Sequence, residues 1–224
     1  MRIWTTQSEE IINILIRDKI YRPDFSLSHG LGGEQMKGAY EGILKEYKEK
    51  NNIECKGLVF GISHLEDKEV ESIEQYRVYF ENNKLFWDSV SMAGSDYAIL
   101  ELEIPDNLNL LPLYFQDFIV LGMRAIRSNE FREYVKTWLK DKPFSDFSED
   151  ISIAQQFGWT NDEEDIFGEC LLNKIVQVHV HEILLSNIKG VYGTYDFDKE
   201  KLYPLGLNAE KLKKQLEQQQ HINL

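Results

Sequence analysis

Apolar residues first recur at helical spacing at Ile11, Ile12, Leu15 and Ile16, which predicts an amphipathic helix ending near Lys19. Thr6 and Glu9, just ahead of that stripe, have the spacing of a capping box. Arg2 to Thr5 reads as a short strand before the helix. Ile20 and Tyr21 read as another after it, ended by Pro23 and Asp24. The stretch SLSHGLGGEQ is a loop by its glycines and serines. A second helix starts near Glu34, with Met36, Tyr40, Ile43, Leu44 and Tyr47 facing inward, and ends over Lys48 to Asn52.

The pattern then turns to strands. Gly57 to Ser63 is a short apolar run, and Glu66 to Glu74 a charged surface loop. Gln75–Phe80 and Leu85–Val90 are expected to pair as a hairpin, because Asn82 and Asn83 tolerate the positive φ angles of its turn. Tyr97 to Ile104 is a strong strand stopped by Pro105. Helices are expected around Tyr114 to Phe118, from Ser128 or Asn129 to Leu139, and from Asn161 to Leu171, with Lys140 to Asp150 as a charged connection. Ile175–Leu184 and Gly190–Phe197 close the strand set. Asn208 is placed to cap the last helix, whose large apolar pair is Leu212 and Leu216. Without a regular βαβ rhythm, this order predicts an α+β fold: a single mixed or antiparallel sheet region with about five to six helices. Residues 1–206 are expected to form one domain, and 207–224 a C-terminal helix with a frayed tail.

Composition narrows the class. The chain is 42% hydrophobic, enough for a substantial core in 224 residues. A formal net charge of −13 repels phosphate backbones and anionic lipid, so nucleic acid is a disfavoured partner. Cys55 and Cys170 stand far apart, without a CxxC pair, so neither a disulfide framework nor a structural zinc is indicated. No apolar run approaches the roughly 18 residues of a membrane span, and the expected compartment is the cytoplasm.

Four features offer chemistry. Along Ile175–Leu184, strand alternation puts Gln177, His179 and His181 on one face, and Val176, Val178, Val180 and Glu182 on the other. A carboxylate ending an apolar row is either placed at the mouth of a cleft or solvated beyond the strand. The HxH pair has metal-ligand spacing and needs a third ligand such as His29 or His64; a polar, solvent-facing strand explains it as well. By alternation, the histidines and Glu182 belong to separate sites. The glycines of Ser28 to Glu34 could cradle a phosphate at a helix start, or simply supply a flexible loop. Trp4, Thr5, Gln7, Tyr21 and Arg22 would come together if two short strands flank the first helix. Trp4 would then stack on a planar ring and Arg22 pair with phosphate or carboxylate; core packing and a surface ion pair are the alternative.

The opening MRIWTTQSEEIINILIRDKIYRPD, with GAYEGILKEYKEK, YAILELEIPDNLNLL and the block ending IVQVHVHEILLSNIKGVYGTYDF, resembles the DUF3841 family of bacterial proteins. The resemblance is collinear over about residues 1–197. Its Gln and its Glu five positions later are Gln177 and Glu182 here, and the tryptophan-rich strand expected near GLVFGISH is missing. That family name implies no activity. The order of aromatic-Thr strand, helix, short strand, glycine-rich loop, helix and late glutamate strand is also similar to ADP-ribosyltransferase-like folds. This second resemblance implies NAD as co-substrate and no metal. Glu182 would be the catalytic acid, with Trp4, Thr5, Gln7, Arg22 and Gln177 around the dinucleotide and Tyr40 stacked on nicotinamide. Val180 replaces the first acid of the paired-acid signature, and Trp4 the usual early His or Arg.

The sequence therefore leaves open whether the chain is an enzyme. One expectation is an NAD-consuming transferase or glycohydrolase using Glu182. Another is a non-catalytic acidic interaction module with a protein partner, such as an antitoxin, immunity or adaptor protein. A third is a metal enzyme using His179 and His181. WTTQ and QVHVHEI are expected on neighbouring strands.

Overall fold

The computed structural model describes residues 1–27, 37–65, 68–81, 93–105, 111–114, 175–196 and 199–222. Its first half runs β1 (Arg2–Ser8), α1 (Glu9–Asp18), β2 (Ile20–Tyr21), α2 (Lys37–Asn51), β3 (Val59–Leu65), β4 (Lys68–Glu69), α3 (Ile73–Glu81), β5 (Tyr97–Glu103) and β6 (Leu111–Tyr114). After these come β7 (Ile175–Val180), β8 (Ile183–Leu184), β9 (Ile188–Gly193), β10 (Tyr195–Asp196), β11 (Lys201–Leu202) and α4 (Leu207–Ile222).

β1 is the spine. It pairs along its whole length with β5, from Arg2 opposite Glu103 to Ser8 opposite Tyr97, and on its other edge with β3, Trp4 opposite Ile62. The main sheet runs β6-β7-β3-β1-β5-β9, with β4 on β3, and its ladders are antiparallel. Both faces of its centre are covered: Ala98, Ile99 and Leu100 are all fully buried. This is why β5 reads as a continuous apolar run rather than an alternating one. One face carries Ile3, Leu100, Val178 and Val180 against Ile12 and Leu15 of α1 and Ala209 and Leu212 of α4. The other carries Trp4, whose indole lies 5.8 Å from the ring of Tyr76 on α3 and 5.8 Å from that of Tyr192 on β9.

Several sequence expectations are corrected here. Among the described residues there are four α-helices, not five to six, and two further two-stranded sheets, β2-β8 and β10-β11, stand beside the main one. Tyr114, expected to open a helix, ends strand β6; residues 115–118, the expected helices at 128–139 and 161–171, the 140–150 connection, the Ser28–Glu34 loop and Cys170 lie outside the described residues. Gln75–Phe80 is helical rather than half of a hairpin; its expected partner, 85–90, is not described. The local reason is a cap. Ser72 Oγ accepts from Gln75 N at 3.2 Å, and the Gln75 carboxamide accepts from Glu71 N at 2.8 Å, while Ile73 and Tyr76 bury one helical face. Ser-x-x-Gln is a capping signature, and it outweighs the β propensity of the residues that follow.

The caps at both ends of the chain also differ. Ser8, not Thr6, caps α1 by accepting from Ile11 N; Thr6 stays in β1. α1 stops where Lys19 turns left-handed at φ 66° and returns its N–H to Leu15 O. Asn208 does not cap α4 with its side chain. Glu9 does so from the other end of the sequence, its Oε2 accepting from Asn208 N and its Oε1 from Ala209 N. The expected C-terminal helix runs over Leu207–Ile222, and its Ala209 and Leu212 share the main core. Among the described residues, no helix is long and apolar enough to cross a membrane.

Candidate functional site

β7 leaves the main sheet after Val180. The chain bends at His181 and Glu182, and β8 crosses to pair with β2 in a separate antiparallel ladder, Tyr21 opposite Ile183 and Ile20 opposite Leu184. One step further in that register stand Arg22 and Glu182. Directly opposed residues on antiparallel strands lie within side-chain reach, and Arg22 Nε donates to Glu182 Oε2 at 3.0 Å. The glutamate is the more buried partner, with side-chain exposure of 18% against 66% for the arginine.

The same carboxylate oxygen lies 3.7 Å from His181 Nε2. The other ring nitrogen, Nδ1, is 2.9 Å from the hydroxyl of Tyr47 on α2. Tyr47 is fully buried because it sits on the inward stripe of α2 with Ile43. Burial pushes its hydroxyl up to about 12; a hydrogen bond from the His181 backbone opposes the rise, and nearby Cys55 and Glu182 add to it. At neutral pH it is therefore a phenol able to donate. Arg22, Glu182, His181 and Tyr47 form one continuous polar cluster built from β2, the β7–β8 bend and α2.

That cluster corrects the expected separation of Glu182 from the histidines. Alternation holds only inside the strand, and beyond Val180 the bend leaves His181 Nε2 within 3.7 Å of its neighbour's carboxylate. His179 stays inside β7. Its face is not solvent-facing as the HxH pattern allowed: His179 and Gln177 are buried, with 2.8 Å between Gln177 Nε2 and His179 Nε2. His179 also packs edge-on against Phe60, centroids 4.6 Å apart. Among the described residues, no group of three His, Cys, Asp or Glu side chains is arranged to hold a metal ion.

The structure does not gather the other sequence candidates around Glu182. Trp4 is in the core, its indole N–H donating to Val70 O at 2.8 Å. Thr5 Oγ1 donates to Phe60 O, and Gln7 Nε2 donates to Thr5 Oγ1, so both spend their polar groups inside the sheet. Tyr40 packs with Phe25 and Phe60. β1 and β2 belong to different sheets, and β3 stands between β1 and β7, so WTTQ and QVHVHEI are not on neighbouring strands. A cleft of about 370 Å³, lined in part by Met1, Glu103, Asn187 and Lys189, includes no residue of the Arg22–Glu182 cluster.

Sequence reasoning found Arg22 and Glu182 but missed His181 as a partner and Tyr47 altogether. One signal for Tyr47 was present, because a tyrosine on a buried helix stripe needs a partner for its hydroxyl. Compared with protein-family models, with curated proteins and with solved structures, the chain has no match.

Proposed function

We propose that this chain is an NAD-binding enzyme of the ADP-ribosyltransferase-like type, in which Glu182 is the central carboxylate. The observation that supports this most is the position of Glu182, at a bend off the end of a buried strand, with one oxygen held by Arg22 Nε. Breaking the bond between nicotinamide and ribose leaves the electron pair on nicotinamide and positive charge on the ribose. A fixed carboxylate stabilises that charge as it develops. Water or an acceptor hydroxyl then bonds to the same carbon and gives up a proton. The guanidinium of Arg22, two-thirds exposed, suits it to meet an anionic group of the nucleotide. Membership of the DUF3841 family and a cytoplasmic location belong to the same proposal.

A second reading is a non-catalytic, acidic interaction module. The internal hydrogen bonds of Trp4, Thr5 and Gln7 favour it, since they remove three of the expected nucleotide contacts, as does the −13 charge. Incubation with NAD separates the two. The enzyme reading expects nicotinamide release, alone or with cell extract as acceptor, and its loss in Glu182→Gln. Absence of both NAD binding and release overturns it, and a stoichiometric protein partner would then support the second.

A further inference from the structure

We infer that Tyr47 and His181 act as a positioning pair for Glu182, with Tyr47 selecting the imidazole tautomer and His181 turning its remaining N–H edge toward Oε2. This rests on the reading of Glu182 as the central carboxylate and assigns work to two residues outside it.

The argument is one of hydrogen-bond inventory. A neutral imidazole has one donor and one acceptor nitrogen. Tyr47 is a buried phenol whose hydroxyl lies 2.9 Å from Nδ1; in the inferred arrangement the hydroxyl donates and Nδ1 accepts. The ring proton then sits on Nε2, the nitrogen facing Glu182 Oε2 at 3.7 Å. That distance is too long for a direct neutral hydrogen bond. The Nε2–H edge therefore acts on Oε2 as a local dipole. Arg22 Nε and His181 Nε2 thus bracket the same oxygen. With both groups on Oε2, the inferred arrangement leaves Oε1 to face a substrate.

Tyr47 is the anchor because it is rigid. It lies on a 15-residue helix, with Ile43 buried on the same stripe. Among the described residues, the titratable groups shown against the imidazole are Tyr47 from α2 and Glu182 on its own bend, and Arg22 from β2 shares that carboxylate. Cys55 lies beside Tyr47, and Lys48, paired with Glu54, beside Cys55.

The test uses the full chain, Tyr47→Phe and His181→Asn. Nitrogen chemical shifts of the His181 ring report its tautomer without any substrate. The expected result is a neutral ring protonated on Nε2 in the unaltered protein, with that preference lost in Tyr47→Phe. With NAD, both variants are expected to lose kcat on the order of 100-fold, with KM little changed, since misplacing a reacting group acts mainly on the chemical step. The acidic limb of the pH–rate profile should also move in Tyr47→Phe. An Nδ1-protonated ring in the unaltered protein, or a tautomer and pH profile indifferent to Tyr47→Phe, overturns the pairing. If no form releases nicotinamide, the enzyme reading fails while the ring shifts still decide the Tyr47–His181 pair.

Discussion

Glu9 reaches from the first turn of α1 to the amino end of α4, where its Oε2 accepts from Asn208 N at 2.7 Å and its Oε1 from Ala209 N at 2.8 Å. The backbone N–H groups at a helix start have no partner within the helix, and a carboxylate there also meets the positive end of the helix dipole. One side chain thereby joins the two ends of the sequence. Glu9→Ala is expected to destabilise the protein by about 1–2 kcal/mol, the range for a lost helix cap, and Glu9→Gln by less. Denaturant midpoints measure the loss, and amide exchange should place it at Leu207–Ile222. Uniform exchange across the chain in Glu9→Ala would contradict a local cap.

The Arg22–Glu182 pair should matter little to folding. It is an ion pair with one largely exposed partner, and such pairs contribute about 0–1 kcal/mol. Arg22→Ala and Glu182→Gln are therefore expected to unfold within about 1 kcal/mol of the unaltered protein, with the difference shrinking in high salt. A loss of several times that size would show a structural role and weaken the reading of Glu182 as a site residue.

Trp4 is expected to behave in the opposite way. It is 1% exposed, with its N–H committed to Val70 O and its ring between Tyr76 and Tyr192. Trp4→Phe removes volume and leaves the carbonyl of buried Val70 without that donor. The expected cost is about 1–3 kcal/mol, read as a lower thermal midpoint. Unchanged stability together with weakened NAD binding would return Trp4 to the list of ligand contacts.

How far the sequence spoke for itself depends on the range of the interaction. The strand Tyr97–Glu103 and the stripe of α1 were readable because each is a local periodicity backed by burial on one element. Glu182 stood out because alternation along one strand is also local. Its partner Arg22 lies 160 residues away. Only the register of β2 on β8 brings the two together, and no spacing along the chain encodes that register. His181 meets the α2 layer through Tyr47, as His179 does through Phe60 and Tyr40, which agrees with alternation; its approach to Glu182 was not legible because the chain leaves β7 between them. Gln75–Phe80 was misread because its aromatic and β-branched residues favour strands, whereas the Ser72–Gln75 cap and the buried Ile73–Tyr76 pair favour a helix.

The buried tyrosines predict a loss of stability in alkali. The Tyr47 hydroxyl is raised from 10.0 to about 12, chiefly by burial. That of Tyr192 is also raised to about 12, by burial first and then by its hydrogen bond to Glu101. Tyr76, wholly buried, moves further in the same direction. A raised value means that the folded protein holds the phenolic proton more tightly than the unfolded chain does. The stabilisation is then complete below pH 10 and is lost as pH climbs toward 12, because only the unfolded chain gains from releasing its protons in that window. Unfolding free energy measured across this range should fall with pH, and phenolate absorbance of the folded protein should lag behind that of free tyrosine. Tyr47→Phe should flatten part of the slope, since it removes one of the groups responsible. A stability curve with no slope between pH 10 and 12, or a Tyr47 that ionises with the exposed tyrosines, would mean that its hydroxyl is not held in the buried contact with His181 from which the positioning pair is built.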